Sequence, residues 1–153
     1  MAVRLLLLPL VAAVSFCGRA PIEPVESFSC DYSNGYPDGT AYQIDCDATT
    51  GNVVLTRRHW SSVNGNVSVD TNVVHAVLPD AKRDELRNVA KRLDVRALQE
   101  RYGWSSATDG LAIQMQLKTA SQSRSVIVDT YDLDGLPEEL AYLSSFCKSR
   151  NFN

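Results

Sequence analysis

The chain has 153 residues, with 15 Lys and Arg against 18 Asp and Glu, a net charge of −3 and 44% hydrophobic residues. An acidic chain of that balance with scattered basic residues is a poor nucleic-acid or anionic-membrane binder, so both are excluded as expected partners. Its apolar content suits one folded core, and its length leaves no room for several.

The chain opens with Arg4, the apolar run Leu5–Val14, and then Ser15-Phe16-Cys17-Gly18-Arg19-Ala20. A positive start, a short apolar centre and small residues at the exit describe an export signal. The run is too short to span a bilayer of roughly 30 Å as a finished helix. Residues 1–20 are therefore read as a cleaved signal peptide and the mature protein as secreted or periplasmic. Cys17 is a candidate lipidation site, because Val14-Ser15-Phe16-Cys17-Gly18 resembles a lipobox. Phe16 stands where that motif takes a small residue, which favours simple secretion. A membrane contact is expected only through a lipid on Cys17. Without residues 1–20 the chain keeps 13 basic and 18 acidic residues, a net charge of −5.

Residues 21–27 read as a tether, since Pro21 and Pro24 restrain the residues before them and discourage helix. A single domain is expected over 28–153. Three cysteines remain in it, Cys30, Cys46 and Cys147, so one intrachain disulfide is expected in an oxidising compartment and one thiol is left over. Cys30 with Cys46 would close a short loop, and either of them with Cys147 would tie the last helix to the sheet. A bond using Cys30 is favoured, because Cys46 reads as the interior of a strand. No metal is expected: no cysteine pair has C-x-x-C spacing and neither histidine has a second ligand near it in sequence.

Ser33–Gly39 reads as a loop with two glycine turn signals. Tyr42, Ile44 and Cys46 then share one face of a strand, and Val53–Trp60 is rich in strand formers. Asp47–Asn52 between them carries turn chemistry, which predicts a hairpin. A further strand is expected within Val67–Val77, where alternation holds until its phase slips at Val74, and Asn64-Gly65 before it predicts a second hairpin turn.

The period changes after Leu78-Pro79-Asp80, a helix entrance, with Leu86, Val89, Ala90 and Leu93 at helical spacing. Lys82, Arg83, Arg87 and Lys91 form the solvated face. Asp94–Leu98 either continues this helix or forms a second short turn, with Gly103 as the stop. Leu111, Ile113, Met115 and Leu117 alternate with polar residues, and Ser125–Tyr131 is their hairpin partner. Asp134-Gly135-Leu136-Pro137-Glu138-Glu139 opens a last helix with acids at the positive end of its dipole, burying Leu136, Leu140, Leu143 and Cys147. The fold class is thus α+β, an antiparallel sheet built from hairpins with two helices packed on one face.

The order of hairpin, Leu78-Pro79 helix with Leu86 to Leu93, Arg101-Tyr102-Gly103, alternating strand from Leu111, and Asp134–Leu140 helix resembles the emfourin-like small bacterial proteins. The resemblance covers roughly Gly51 to Cys147. It implies this topology and an inhibitor of thermolysin-like metallopeptidases, and this chain departs from the small cytosolic type in its leader and cysteines.

Motifs of enzymes are missing: there is no G-x-S-x-G, H-E-x-x-H, Walker or dinucleotide glycine loop. His59 and His75 read as strand or surface residues, and Ser61 and Ser62 beside His59 alternate in direction with no acid at hand. Asp129, Asp132 and Asp134 resemble part of a calcium loop but fit capping and turn roles without an ion. Asn66-Val67-Ser68 matches a glycosylation acceptor. The expected function is a non-catalytic binding module without cofactor, whose protein partner is of the secreted metallopeptidase kind, with Trp60, Tyr102 and Trp104 as candidate partner-binding anchors. The alternative is an envelope accessory or structural lipoprotein without inhibitory activity.

Overall fold

A computed structural model describes residues 20–33, 39–103, 112–129, 135–149 and 152. The leader with Cys17, most of the loop before Thr40, Trp104, Leu111, and Asp132 and Asp134 lie outside the described residues.

The strands are β1 (Ser27–Ser33), β2 (Thr40–Asp47), β3 (Asn52–Val63), β4 (Asn66–Val77), β5 (Arg101–Tyr102), β6 (Ala112–Lys118) and β7 (Ser123–Asp129), with helices α1 (Asp80–Arg92) and α2 (Glu138–Ser149). They form an α+β domain around one seven-stranded sheet in the order β4-β3-β2-β1-β6-β7-β5. All neighbours are antiparallel except β5, which runs parallel to β7. β1, a strand not anticipated from the sequence, lies in the middle of the sheet. Its alternation of Phe28, Cys30 and Tyr32 with Ser29 and Asp31 is a period-two signal of only seven residues.

Alternation decides which face of the sheet is dry. Ile113, Met115 and Leu117 of β6 are buried while Gln114, Gln116 and Lys118 are exposed. Cys30 sits opposite Ile44 on one side and Met115 on the other, so three strands contribute to the same buried layer. Leu86, Val89 and Ala90 of α1 and Leu140, Leu143 and Cys147 of α2 belong to the same hydrophobic cluster. Burying a Leu-sized side chain this way is worth about 1.5–3 kcal/mol.

α1 begins after Pro79 and carries Asp80 in its first turn and Lys91 and Arg92 in its last, each matched to the dipole. Its last residue, Arg92, lies eleven positions before Gly103. In a continued helix Val95 would point about 200° away from Leu93, yet both are buried. The chain therefore leaves the helix at Leu93, and the Asp94 carboxylate accepts the Arg96 backbone N–H at 3.2 Å to start a single 3-10 turn over Val95–Ala97. This turn delivers Arg101 and Tyr102 beside Ile127 and Val128. At the other end of α1, Gly51 (φ +78°) turns the β2–β3 connection so tightly that an added Cβ would meet the Arg83 side chain at 3.0 Å.

The tether segment is extended, and it is docked. The Val25 N–H donates to Ala90 O (3.0 Å), the Glu26 N–H donates to Lys118 O (2.8 Å), and Val25 is buried. The Glu23 carboxylate accepts from Ser121 Oγ (2.6 Å) and Thr119 Oγ1 (2.9 Å). These two hydroxyls hold the Glu23 carboxyl below its ordinary value of 4.5. A depressed carboxyl favours the docked state above the unfolded value, and that contribution is lost as pH falls through the lower folded value. Protection factors over residues 20–26, in which the intrinsic pH dependence of exchange is divided out, are expected to hold at about pH 6 and to fall on acidification through the lowered Glu23 value, with Glu23→Gln flattening the response. Identical pH profiles for the two proteins would remove Glu23 as the anchor.

Candidate functional site

β3 and β4 are each twelve residues long and fully paired from Asn52↔Val77 to Val63↔Asn66. Asn64 (φ 54°) and Gly65 (φ 79°) form the two-residue turn between them. Positive φ at both positions matches the twist of the flanking strands, which is why Asn-Gly is favoured there. β2 accompanies β3 only from Val53 to His59. Beyond that the hairpin overhangs the domain, steadied by the Trp60 N–H donating to Gly39 O (3.0 Å) and by Ser61 Oγ paired with Ser68 Oγ (2.7 Å).

Among the described residues β4 is the edge of the sheet. Every residue from Asn66 to Val77 is exposed except the half-buried Ala76. Val67 and Val69 are 67% and 52% exposed, and Val63, Val73, Val74 and Val77 are open as well. Proteins usually blunt such edges with Lys, Pro, inward charges or bulges. Asn66–Val77 has no Lys, Arg, Glu or Pro, and its pairing to β3 runs without interruption. In a two-residue hairpin the residues flanking the turn exchange both hydrogen bonds, and the bonded pairs then alternate. Even-numbered residues of β4 are thus bonded to β3, while Val67, Val69, Thr71, Val73 and His75 turn their N–H and C=O groups away from the sheet.

On the side of the hairpin continuous with the core face, Tyr42, Leu55, Arg57, His59, Asp70 and Val74 line an open concavity of about 430 Å³. His59 Nδ1 lies 3.1 Å from Thr40 Oγ1. Ser61, the serine on the same strand face as His59, has its hydroxyl paired with Ser68 instead. Among the described residues no three His, Cys, Asp or Glu side chains come together in a metal-holding group.

Of the three expected anchors, the two among the described residues are not brought together. Trp60 is half-buried on the hairpin, opposite Val69. Tyr102 lies on β5 at the other edge of the sheet, about 24 Å away at 4.8 Å per strand. It is 6% exposed, and its hydroxyl oxygen accepts the Gln99 backbone N–H at 3.0 Å. That ring serves the fold, joining the short parallel strand to the core. Trp104 is outside the described residues.

Cys30 and Cys147 stand at disulfide distance, with Cα atoms 6.2 Å apart and a sequence separation of 117. This pair fixes α2 to the central strand β1. Cys46 is a free, buried cysteine opposite Phe28. Burial first, and the Asp47 charge second, push its thiol up to about 12. So protonated a thiol is a poor nucleophile, and Cys46 acts as a small core residue.

Comparison with known proteins finds no matching family model, no significantly similar curated protein and no significantly similar solved structure. The hairpin edge was missed from the sequence. The lack of Lys, Arg, Glu and Pro between Asn66 and Val77 was legible, but an edge position depends on which strands fail to pair with β4.

Proposed function

We propose that this chain is an exported, non-catalytic binding module that engages a protein partner through the β3–β4 hairpin. The observation that carries it is the twelve-residue β4 edge, exposed, without bulge, Lys or Pro, and with Asp70 as its single acidic side chain. An edge of this kind accepts an extended segment by main-chain hydrogen bonding, with side chains on alternate positions supplying selectivity. Trp60 beside Val69 supplies an aromatic anchor next to the edge.

The leader over residues 1–20 supports a secreted or periplasmic setting, and so does the Cys30–Cys147 pair, since disulfides persist in oxidising compartments. In this reading α1 and α2 both cover the face bearing Phe28, Ile44 and Met115, with which their buried residues share one cluster. The opposite face and the overhanging hairpin are left for partners. The emfourin-like resemblance makes a secreted thermolysin-like metallopeptidase the partner of choice.

The test is inhibition of a panel of secreted metallopeptidases by the wild type, Trp60→Ala and Thr71→Pro. The Thr71 N–H faces away from β3, so proline there blocks the edge without removing a bond of the existing ladder. Inhibition is expected to fall by about tenfold or more in each variant, the loss typical of an interface anchor. Wild-type protein that neither inhibits nor binds any of these enzymes would overturn the metallopeptidase assignment.

A further inference from the structure

We propose that the strand completing β4 is β4 of a second copy of this chain, paired antiparallel about a two-fold axis through Thr71. The inference rests on the hairpin as the binding surface: the second copy holds the edge in the free protein, and a peptidase segment competes with it for the same backbone groups. Two identical strands related by an axis normal to the sheet can only pair in registers that set odd residues opposite odd and even opposite even. The outward-facing groups of β4 belong to its odd residues, so such a register turns them into a ladder.

Side chains choose among the registers. Centring on Asp70 would set that carboxylate opposite its own copy, a like-charge pair that destabilises a sheet. Centring on Asn72 would oppose Asp70 to Val74 and Val69 to His75. Centring on Thr71 matches the pairs around the axis and leaves the unlike pairs, Val67 with His75 and Ser68 with Val74, to the outer positions. Val69 faces Val73 of the second copy twice over, Thr71 faces Thr71, and Asp70 faces Asn72 twice, carboxylate against a carboxamide that donates to it. Apolar and Thr–Thr cross-strand pairs favour strand pairing. The outward odd residues from Val67 to His75 then close about ten backbone hydrogen bonds. Val67, Val69 and Val73, all at least half exposed in the single chain, gain cross-strand neighbours on one face. β4 thereby satisfies itself, in charge and in pattern, with no foreign sequence.

The experiment is a register-specific cross-link. Residues in a bonded antiparallel pair have Cα atoms about 5.5 Å apart, inside the disulfide range of about 4.4–6.8 Å. Thr71→Cys is expected to give a disulfide-linked dimer under mild oxidation. Val67→Cys is expected to stay unlinked, because its copy lies eight residues away along the ladder, about 27 Å. Wild-type chain should sediment at twice the monomer mass at about 100 µM, a concentration suited to a small interface. Val69→Lys/Val73→Lys should sediment at the monomer mass with unchanged circular dichroism. A monomeric wild type, or Val67→Cys linking as readily as Thr71→Cys, overturns the inference. A monomeric wild type whose peptidase inhibition still falls on Thr71→Pro overturns the second copy and leaves the hairpin as the binding surface. A Thr71-linked dimer in a chain that binds no peptidase supports the second copy and overturns the inhibitor.

Discussion

Serine at Cys147 is expected to lower stability by about 4–5 kcal/mol, close to the loop-closure entropy removed by a cross-link spanning 117 residues. For a domain of this size that corresponds to a fall in melting temperature on the order of 15 °C. Cys30→Ser should match it, and both variants should be insensitive to reductant while the wild type with reductant falls to their level. Thermal unfolding followed by circular dichroism, with and without reductant, makes the comparison. Cys46 provides an independent readout, because its buried thiol, pushed up to about 12, should alkylate only when the core opens. A wild type whose melting temperature ignores reductant would mean that the Cys30–Cys147 link does not restrain the unfolded chain.

Met115→Ala is expected to cost about 2–5 kcal/mol, the range for deleting a buried long side chain and leaving part of its cavity. Met115 is fully buried in β6, opposite Cys30 of β1 and Val126 of β7. Its neighbour Gln116 is exposed and points to the other face, so Gln116→Ala should stay within about 0.5 kcal/mol. Urea denaturation decides this: the midpoint should fall in Met115→Ala with an unchanged slope. Because Cys30 and Met115 face each other, the two losses should not add in a doubly substituted chain. Additive losses, or a small effect at Met115, would place the weight of the core elsewhere than the seam between β1 and β6.

Much of this fold was legible from local pattern, and the exceptions have physical causes. β2, β6 and the buried faces of both helices follow the period of their apolar residues, because each has one face against the core. β4 looked broken at Val74, where the alternation slips, yet it runs unbroken to Val77. Neither of its faces is covered, so nothing forces its valines onto alternate positions, and both Val73 and Val74 stand exposed. β5 is two residues long and gains its pairing from β7, a contact no local signal could announce. Of the two readings of Asp94–Leu98, the second short turn is the one found, because Leu93 and Val95 must both be buried and one helix face cannot hold them. Of the expected anchors Trp60 sits where a partner could reach it and Tyr102 is enclosed, a difference set by which strand ends in the core.

The central place of β1 also sets an order of events. Its two neighbours are β2, which follows at once, and β6, which begins 79 residues after β1 ends. The first hairpins can form as their residues emerge, but the seam between β1 and β6 must wait for nearly the whole chain. Such non-local pairing makes folding slow relative to helical domains of equal size. Until β6 arrives, β1 offers an open inner edge next to Cys30, whose partner Cys147 lies on α2, after every strand of the sheet in sequence. Native pairing of these two cysteines therefore reports that α2 has reached the central strand, which makes the bond a covalent record of long-range assembly.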